Sequence, residues 1–316
     1  MENPVVYIIV LNWNHLDDLI LTMESLIIQD YQNMKILISD NGSADGSQVY
    51  INENYPDAIL LENNENLGWA GGNNVGIKYA LTNDADYILL ANNDLYIENT
   101  KIVSTLVNDL VKLKEKNIKI IGTTVNYYTP KDRTHNSGWI LFPKSEVKGR
   151  VFNRYRKEYN IQLSNNYRVV DFVSGCFILI DKSVFNDIGF IDEAFFCYME
   201  EADFSLRAWK AGHGSLINKD LIIYHKVAST AKVGSPFFMY LKFRNLYYFL
   251  TKHKTIISHY NYFIAKYFFD FSKIILKVLF YPNRYNGNQL RLLFASFRGL
   301  FDGVITKRQG RDGIKF

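Results

Sequence analysis

The chain of 316 residues is short of several things, and each shortage removes a class of protein. Its two cysteines, Cys176 and Cys197, allow neither a disulfide framework nor a four-cysteine zinc site. So sparse a use of cysteine fits a reducing compartment, with both residues expected as small buried apolar groups. No run of 18 uncharged apolar residues occurs. The most apolar stretch, 256–281, is broken by His259, Lys266, Asp270, Lys273 and Lys277, so no spanning helix is expected. The opening Met1-Glu2-Asn3-Pro4 lacks the basic start and small-residue cleavage site of a secretory leader. Both the G-x-G-x-x-G turn after the first strand and the P-loop are missing, which argues against nicotinamide cofactors and ATPases.

What is present is an ordinary globular composition, 48% apolar and 22% charged, at a length that suggests two domains. Acids are scarce only at the back. Residues 231–316 carry a net charge of +12 and residues 1–230 a net charge of −8, and 21 of the 44 Tyr and Phe lie in that last part. The expected division is therefore 1–232 for a front domain and 233–316 for a basic, aromatic helical region.

The front part alternates strand and helix signals, which predicts an α/β layer with a largely parallel sheet. Strands are expected at 5–11, 34–39, 58–62, 87–91, 119–125, 172–180 and 221–225. Helices are expected at 17–29, 47–54, 74–81, 100–116 and 201–211, with loops over 127–168. Three back helices are expected at 236–252, 256–280 and 288–306.

Polar clusters fall at the carboxyl ends of the expected strands, the edge where open α/β sheets bind ligands. They are Asn12-Trp13-Asn14, the turn Asp40 to Ser47, Asn66 to Asn73, and Asn92-Asn93-Asp94. A lone Asn-Gly or Asp-Gly is only a turn, but four such clusters on one edge point to a site. Gly71 and Gly72, just before a helix, would let backbone N–H groups approach a phosphate.

With these words in order, the sequence resembles the inverting family 2 glycosyltransferases of GT-A fold, in particular the bacterial rhamnosyltransferase-like branch. The matching words are Val10-Leu11-Asn12-Trp13-Asn14, Asp40-Asn41-Gly42-Ser43 with Asp45-Gly46-Ser47, Glu65-Asn66-Leu67-Gly68 with Ala70-Gly71-Gly72-Asn73, and Asn92-Asn93-Asp94. Tyr198-Met199-Glu200-Glu201-Ala202-Asp203, Tyr224-His225 with Ser229, and Arg244-Asn245 follow. The resemblance implies a mixed, mostly parallel sheet with helices on both faces, and an activity that moves a sugar from a nucleotide-sugar donor to a glycan or lipid-linked sugar acceptor.

It also implies roles. Asp94 stands at the last position of the family's Asp-x-Asp metal motif, whose first position is Asn92 here, and His225 matches its third ligand. Mn²⁺ or Mg²⁺ is the expected cofactor, and an imidazole suits Mn²⁺ better. Asp40 matches the residue that bonds the pyrimidine base. Asn12, Asn14 and Asn66 would line base and ribose. Asn73, Gly71, Gly72, Asn92 and Asn93 would lie about the ribose and diphosphate, Gly175 beside the sugar, and Arg244 near the diphosphate. The base that takes the acceptor proton falls on Glu201, usually Asp in the family, with Asp203 as the alternative or as a support. Whether Glu201 has its pKa raised by neighbouring acids or lowered by the helix start is open from sequence.

The donor implied by the branch is dTDP-L-rhamnose, with UDP-hexose or UDP-galactofuranose as alternatives. An inactive membrane-surface scaffold is the rival outside enzymes. The basic tail fits structural helices or an anionic membrane surface, which would make the protein cytoplasmic and peripheral on the inner face of the membrane. No motif for nucleic acid accompanies its charge. On the tail, Tyr260, Phe263, Tyr267, Phe271, Ile274 and Val278 at three-to-four spacing are the expected membrane-facing stripe.

Overall fold

The computed structural model describes residues 3–138, 163–226, 235–255, 260–280 and 289–306. Ser229, the 232/233 boundary and the side chains of Ile274, Lys277 and Val278 lie outside what is described. In chain order the elements begin with β1 (Val6–Asn12), α1 (Leu16–Ile27), β2 (Met34–Asp40), α2 (Ser47–Asn54), β3 (Ile59–Glu62) and α3 (Gly68–Thr82). Then come β4 (Tyr87–Asn92), β5 (Leu95–Tyr96), α4 (Ile102–Leu113), β6 (Ile118–Tyr127), β7 (Thr134–Asn136), β8 (Tyr167–Val169) and β9 (Phe177–Asp181). The chain continues with α5 (Lys182–Ile188), α6 (Glu200–Lys210), β10 (Gly214–His225), α7 (Pro236–Lys252), α8 (Tyr260–Phe280) and α9 (Gln289–Phe301).

Strand β1 is apolar on both faces because both are covered, as a central parallel strand requires. Val6, Ile8 and Val10 belong to the core with Leu19 and Met23 of α1 and Leu106 of α4. Tyr7 and Ile9 belong to the core with Ala70, Ile77 and Ala80 of α3. Each of the buried Val, Ile, Leu and Met side chains among them contributes about 1.5–3 kcal/mol. The sheet order is β3-β2-β1-β4-β9-β6-β10-β5, with β7 on β6 and β8 on β10. The first four strands run parallel, as do β6 and β10, while β9 runs antiparallel between β4 and β6.

Helix α3 starts at Gly68, six residues before the expected start, because its glycines serve packing rather than turns. A Cβ on Gly72 would lie 2.4 Å from Leu11 Cδ1, and one on Gly76 2.6 Å from Ile9 Cγ2. Two bare positions one turn apart let the helix lie directly on β1, at a helix-propensity cost that hid it in the sequence. The expected strand 172–180 is a strand only from Phe177, and β10 runs back to Gly214.

The chain forms two compact units, Met1–Asp192 with Glu201–Val227, and Glu193–Glu200 with Ala228–Phe316. The second therefore takes a segment, 193–200, from the middle of the front part. Within it, Tyr240, Leu241, Phe243, Phe249 and Leu250 of α7 are buried, as are Tyr267 and Phe271 of α8 and Leu292 and Ala295 of α9. Phe243 meets Phe271 edge-on at 4.9 Å, and Tyr267 Oη donates to Phe243 O at 2.9 Å.

Candidate active site

The parallel register puts Asn12 beside Asp40 and Leu11 beside Asn92, so three of the polar clusters leave the sheet side by side. Their side chains bond mainly to one another. Asp40, 1% exposed, accepts from Asn12 Nδ2 (2.8 Å), Ser43 N (2.8 Å), Ser43 Oγ (2.6 Å) and Gln48 Nε2 (2.7 Å). Asn93 Nδ2 donates to Asn12 Oδ1 (2.7 Å) and Asn14 O (3.3 Å), and Ala44 N donates to Asn14 Oδ1. Asn66 Oδ1 accepts at 2.8 Å from Gly68 N, one of the free N–H groups at the start of α3. Asn73 Nδ2 reaches Trp69 O, and its Oδ1 is buried without a hydrogen-bond partner. The result is a hydrogen-bonded loop cluster in which Asp40 is a hub, aided by Ser43 and Gln48.

Strand pairing brings Asp94 and His225 together from distant parts of the chain. His225 ends β10 and pairs with Leu95, the residue after Asp94. His225 Nε2 lies 2.9 Å from Asp94 Oδ1, yet that oxygen is buried and faces no aligned donor, as does His225 Nδ1. An acidic oxygen and an imidazole nitrogen, close but not hydrogen-bonded, form a donor set that suits a divalent cation. Among the described residues no group of three acids, histidines or cysteines joins around such an ion.

Around this pair stand Trp69 and His135, which the sequence does not single out, and Gly175, which it does. Trp69 Nε1 donates to Asn92 Oδ1 at 3.2 Å, and Asn92 Nδ2 lies 3.4 Å from His225 Nε2, so the indole orients Asn92 beside the imidazole. Gly175, expected against a sugar, makes room for that indole: a Cβ there would lie 2.6 Å from Trp69 Cζ2. Gly175→Ala is therefore expected to destabilise the protein by about 1–3 kcal/mol, read by urea unfolding, as overpacking does. His135 completes the group, its ring centroid 5.7 Å from that of His225. Burial, and next the charge of His225, hold its imidazole below the ordinary histidine range.

Glu201 and Asp203 stand in the first turn of α6 and differ sharply. Asp203 is fully buried and accepts from Arg207 Nε at 2.8 Å, while the same guanidinium donates to Ile188 O and Phe190 O. Glu201 Oε2 is buried with no hydrogen-bond partner. Burial pushes the Glu201 carboxyl up, against the pull of its own backbone N–H at the helix start. Cys176 is buried too. Its buried thiol is pushed up to about 12, first by burial and further by the charges of both Asp94 and Glu201. A thiol so held is inert at neutral pH. Cys197 is half-buried. Arg244, expected beside a diphosphate, is 1% exposed, its Nη2 on Phe195 O at 2.8 Å.

A mixed sheet with this order, and ligand-type side chains gathered on its carboxyl edge, is the architecture of the GT-A transferases. The chain belongs to one family among them: the model of glycosyl transferase family 2 matches residues 7–189, more than half of its length. The resemblance read from the motifs is thereby confirmed. The low-salt glycan biosynthesis hexosyltransferase Agl10 of Haloferax volcanii is 26% identical over 224 residues, which are 67% of this chain and 65% of that protein. This chain thus spans a little under two thirds of that relative. The N-acetylglucosaminyl-diphospho-decaprenol L-rhamnosyltransferase of Mycobacterium tuberculosis is 27% identical over 227 residues, 66% of this chain and 72% of that one. Among solved structures, the mannosyltransferase PcManGT from Pyrobaculum calidifontis, in complex with GDP-Man and Mn²⁺, shares the fold. Its TM-score is 0.55 at 15% identity, covering 96% of this chain and 88% of that one.

Proposed function

We propose that the protein is an inverting glycosyltransferase that moves a sugar from a nucleotide-diphosphate donor to a glycan or lipid-linked acceptor in surface polysaccharide synthesis. One observation carries this reading: the buried Asp94 Oδ1, 2.9 Å from His225 Nε2, and the buried Glu201 Oε2 each face no hydrogen-bond donor among the described residues. Inverting transfer needs a base for the acceptor proton and, apart from it, a site for the departing diphosphate. Asp94 and His225 would hold a Mn²⁺ or Mg²⁺ whose remaining ligands are donor phosphates, and such an ion neutralises charge on the leaving group. Glu201, ionised, accepts the acceptor hydroxyl proton. Asp203 fixes the turn that carries it, through Arg207. The Asn12, Asn14, Asp40 and Asn66 cluster forms the nucleotide recess, with Asp40 fixing Asn12 and Ser43 in place.

Similarity to the mycobacterial L-rhamnosyltransferase supports an L-rhamnosyl donor. The shared fold of the archaeal mannosyltransferase, which holds GDP-Man and Mn²⁺, supports a nucleotide sugar with that ion. Thermal stabilisation by UDP-, dTDP- and GDP-sugars with Mn²⁺ tests the reading. The largest shift is expected with dTDP-L-rhamnose. A larger shift with UDP-glucose or UDP-galactofuranose would reassign the donor, and no shift with any donor would overturn the reading.

We further propose that the second unit docks on the inner face of an anionic membrane. No helix among the described residues is long and apolar enough to cross one. Of the stripe expected to face lipid, Tyr267 and Phe271 are core residues of the unit, while Tyr260 and Phe263 are half-buried. The exposed large apolar side chains described there are others: Tyr262, Phe268, Phe269, Leu276 and Phe280 on α8, and Leu290, Phe294, Phe297 and Phe301 on α9, with Leu290 81% exposed. The α9 set recurs at helical spacing, and the unit is basic, the combination that interfacial helices use. Co-sedimentation with phosphatidylserine vesicles is expected to fall as salt rises, because part of the attraction is screened. Equal partition onto neutral and anionic vesicles, or none, would refute docking by charge.

A further inference from the structure

Residues 193–200 run straight into the helix that carries Glu201, and their backbone is unusual. Phe196 (φ 64°), Tyr198 (φ 72°) and Met199 (φ 77°) all lie in the left-handed region, and none is glycine. L-residues with a Cβ adopt that region at a cost and persist there only when the surroundings hold them. Here the holding groups are visible. Asn245 is wholly buried, and its Nδ2 donates to Phe195 O (2.9 Å), Cys197 O (2.7 Å) and Tyr198 O (2.8 Å). An amide nitrogen has two hydrogens, so three carbonyls converge on them. Arg244 Nε donates to Asn245 Oδ1 at 2.8 Å, which settles which end of the amide faces the turn, and Arg244 Nη2 adds a bond to Phe195 O.

The rest of the unit braces this pair. A Cβ on Gly299 would lie 2.3 Å from Tyr240 O, and one on Gly303 3.2 Å from Arg244 Cα, so these glycines let the last helix press on the backbone of α7 where Arg244 sits. Tyr240 Oη donates to Asp302 Oδ2 at 2.9 Å, and the Arg244 guanidinium lies 5.4 Å from the centre of the Tyr240 ring.

We propose that Asn245, oriented by Arg244, is a positioning residue: it holds the 195–199 turn in its left-handed form and so fixes how the chain delivers Glu201. This rests on the reading of Glu201 as the base. Loss of the amide lets the turn relax toward ordinary dihedrals, and a shift of about 1 Å in a reacting group costs on the order of a hundredfold in rate. The Arg244-Asn245 word thus acts on the acid motif.

The test is Asn245→Ala, read in three ways. Turnover (kcat) is expected to fall about a hundredfold while the dissociation constant of the nucleotide donor stays within about twofold. Amide hydrogen exchange is expected to quicken over residues 196–202 and not in the sheet. Adding Met199→Gly, which takes positive φ without strain, is expected to recover part of the lost kcat. Wild-type kcat in Asn245→Ala, equal losses in kcat and donor binding, or exchange quickened throughout would overturn the proposal. If Asn245→Ala does not fold, Met199→Val carries the test, because a β-branched residue strains the same turn while leaving Asn245 in place. Changed exchange over 196–202 with no donor turned over by the wild type would uphold the clamp and refute the role of Glu201, so the two failures are distinct.

Discussion

Glu201→Gln is expected to lower kcat by roughly a hundredfold or more, the usual effect of losing a general base, with donor affinity kept because the amide has the same shape. The same substitution is expected to raise the melting temperature at pH 8. Burial raises the Glu201 carboxyl pKa in the fold, so between the ordinary glutamate value of about 4.3 and the raised value the unfolded chain gives up its proton more readily. Stability from this group is therefore lost as pH rises through that window, and a neutral amide does not suffer the loss. Below about pH 4.3 the two proteins should melt alike. In wild type the acid limb of kcat should lie above the ordinary carboxyl range, since the base works only when ionised. Gain of stability with loss of activity is the signature of a residue kept for chemistry. If Glu201→Gln stays active and Asp203→Asn is dead, the base is Asp203.

Asp94→Ala is expected to abolish the dependence of donor binding on Mn²⁺ and to lower kcat/KM by at least about a hundredfold, the scale of several kcal/mol for one bound cation. Asp94 is 4% exposed and its Oδ1 has no aligned donor, so removing it should cost the fold little by comparison. Isothermal titration of donor with and without Mn²⁺ measures the effect directly. Donor binding in Asp94→Ala that still strengthens with Mn²⁺, or full wild-type activity in excess EDTA, would show that the ion is held elsewhere or not needed.

The parts of this site that were legible in the sequence are those written locally. Asn12, Asp40 and Asn92 end strands whose apolar runs are plain, and parallel pairing then aligns them. The sign of the Glu201 shift was not legible, because it depends on how far burial outweighs the helix start. Trp69 and Gly175 are far apart in sequence, and only the fold shows that the glycine is bare to admit the indole. The left-handed turn at Phe196, Tyr198 and Met199 carries no glycine to announce it, since its conformation is imposed by Asn245 from another helix. The α8 stripe has the right spacing for a membrane face and for a core face alike. Tyr267 and Phe271 went to the core because α7 offered them Phe243.

The most direct measurement of the central claim is nucleoside diphosphate release. Wild-type protein is incubated with dTDP-L-rhamnose, UDP-glucose, UDP-galactofuranose and GDP-mannose in Mn²⁺, with the Asp94→Ala and Glu201→Gln proteins alongside. The account predicts release from one donor class by wild type, dTDP-L-rhamnose first, suppressed in both variants. Release that is the same in all three proteins, or none from any donor by wild type at any concentration that binds, would contradict it.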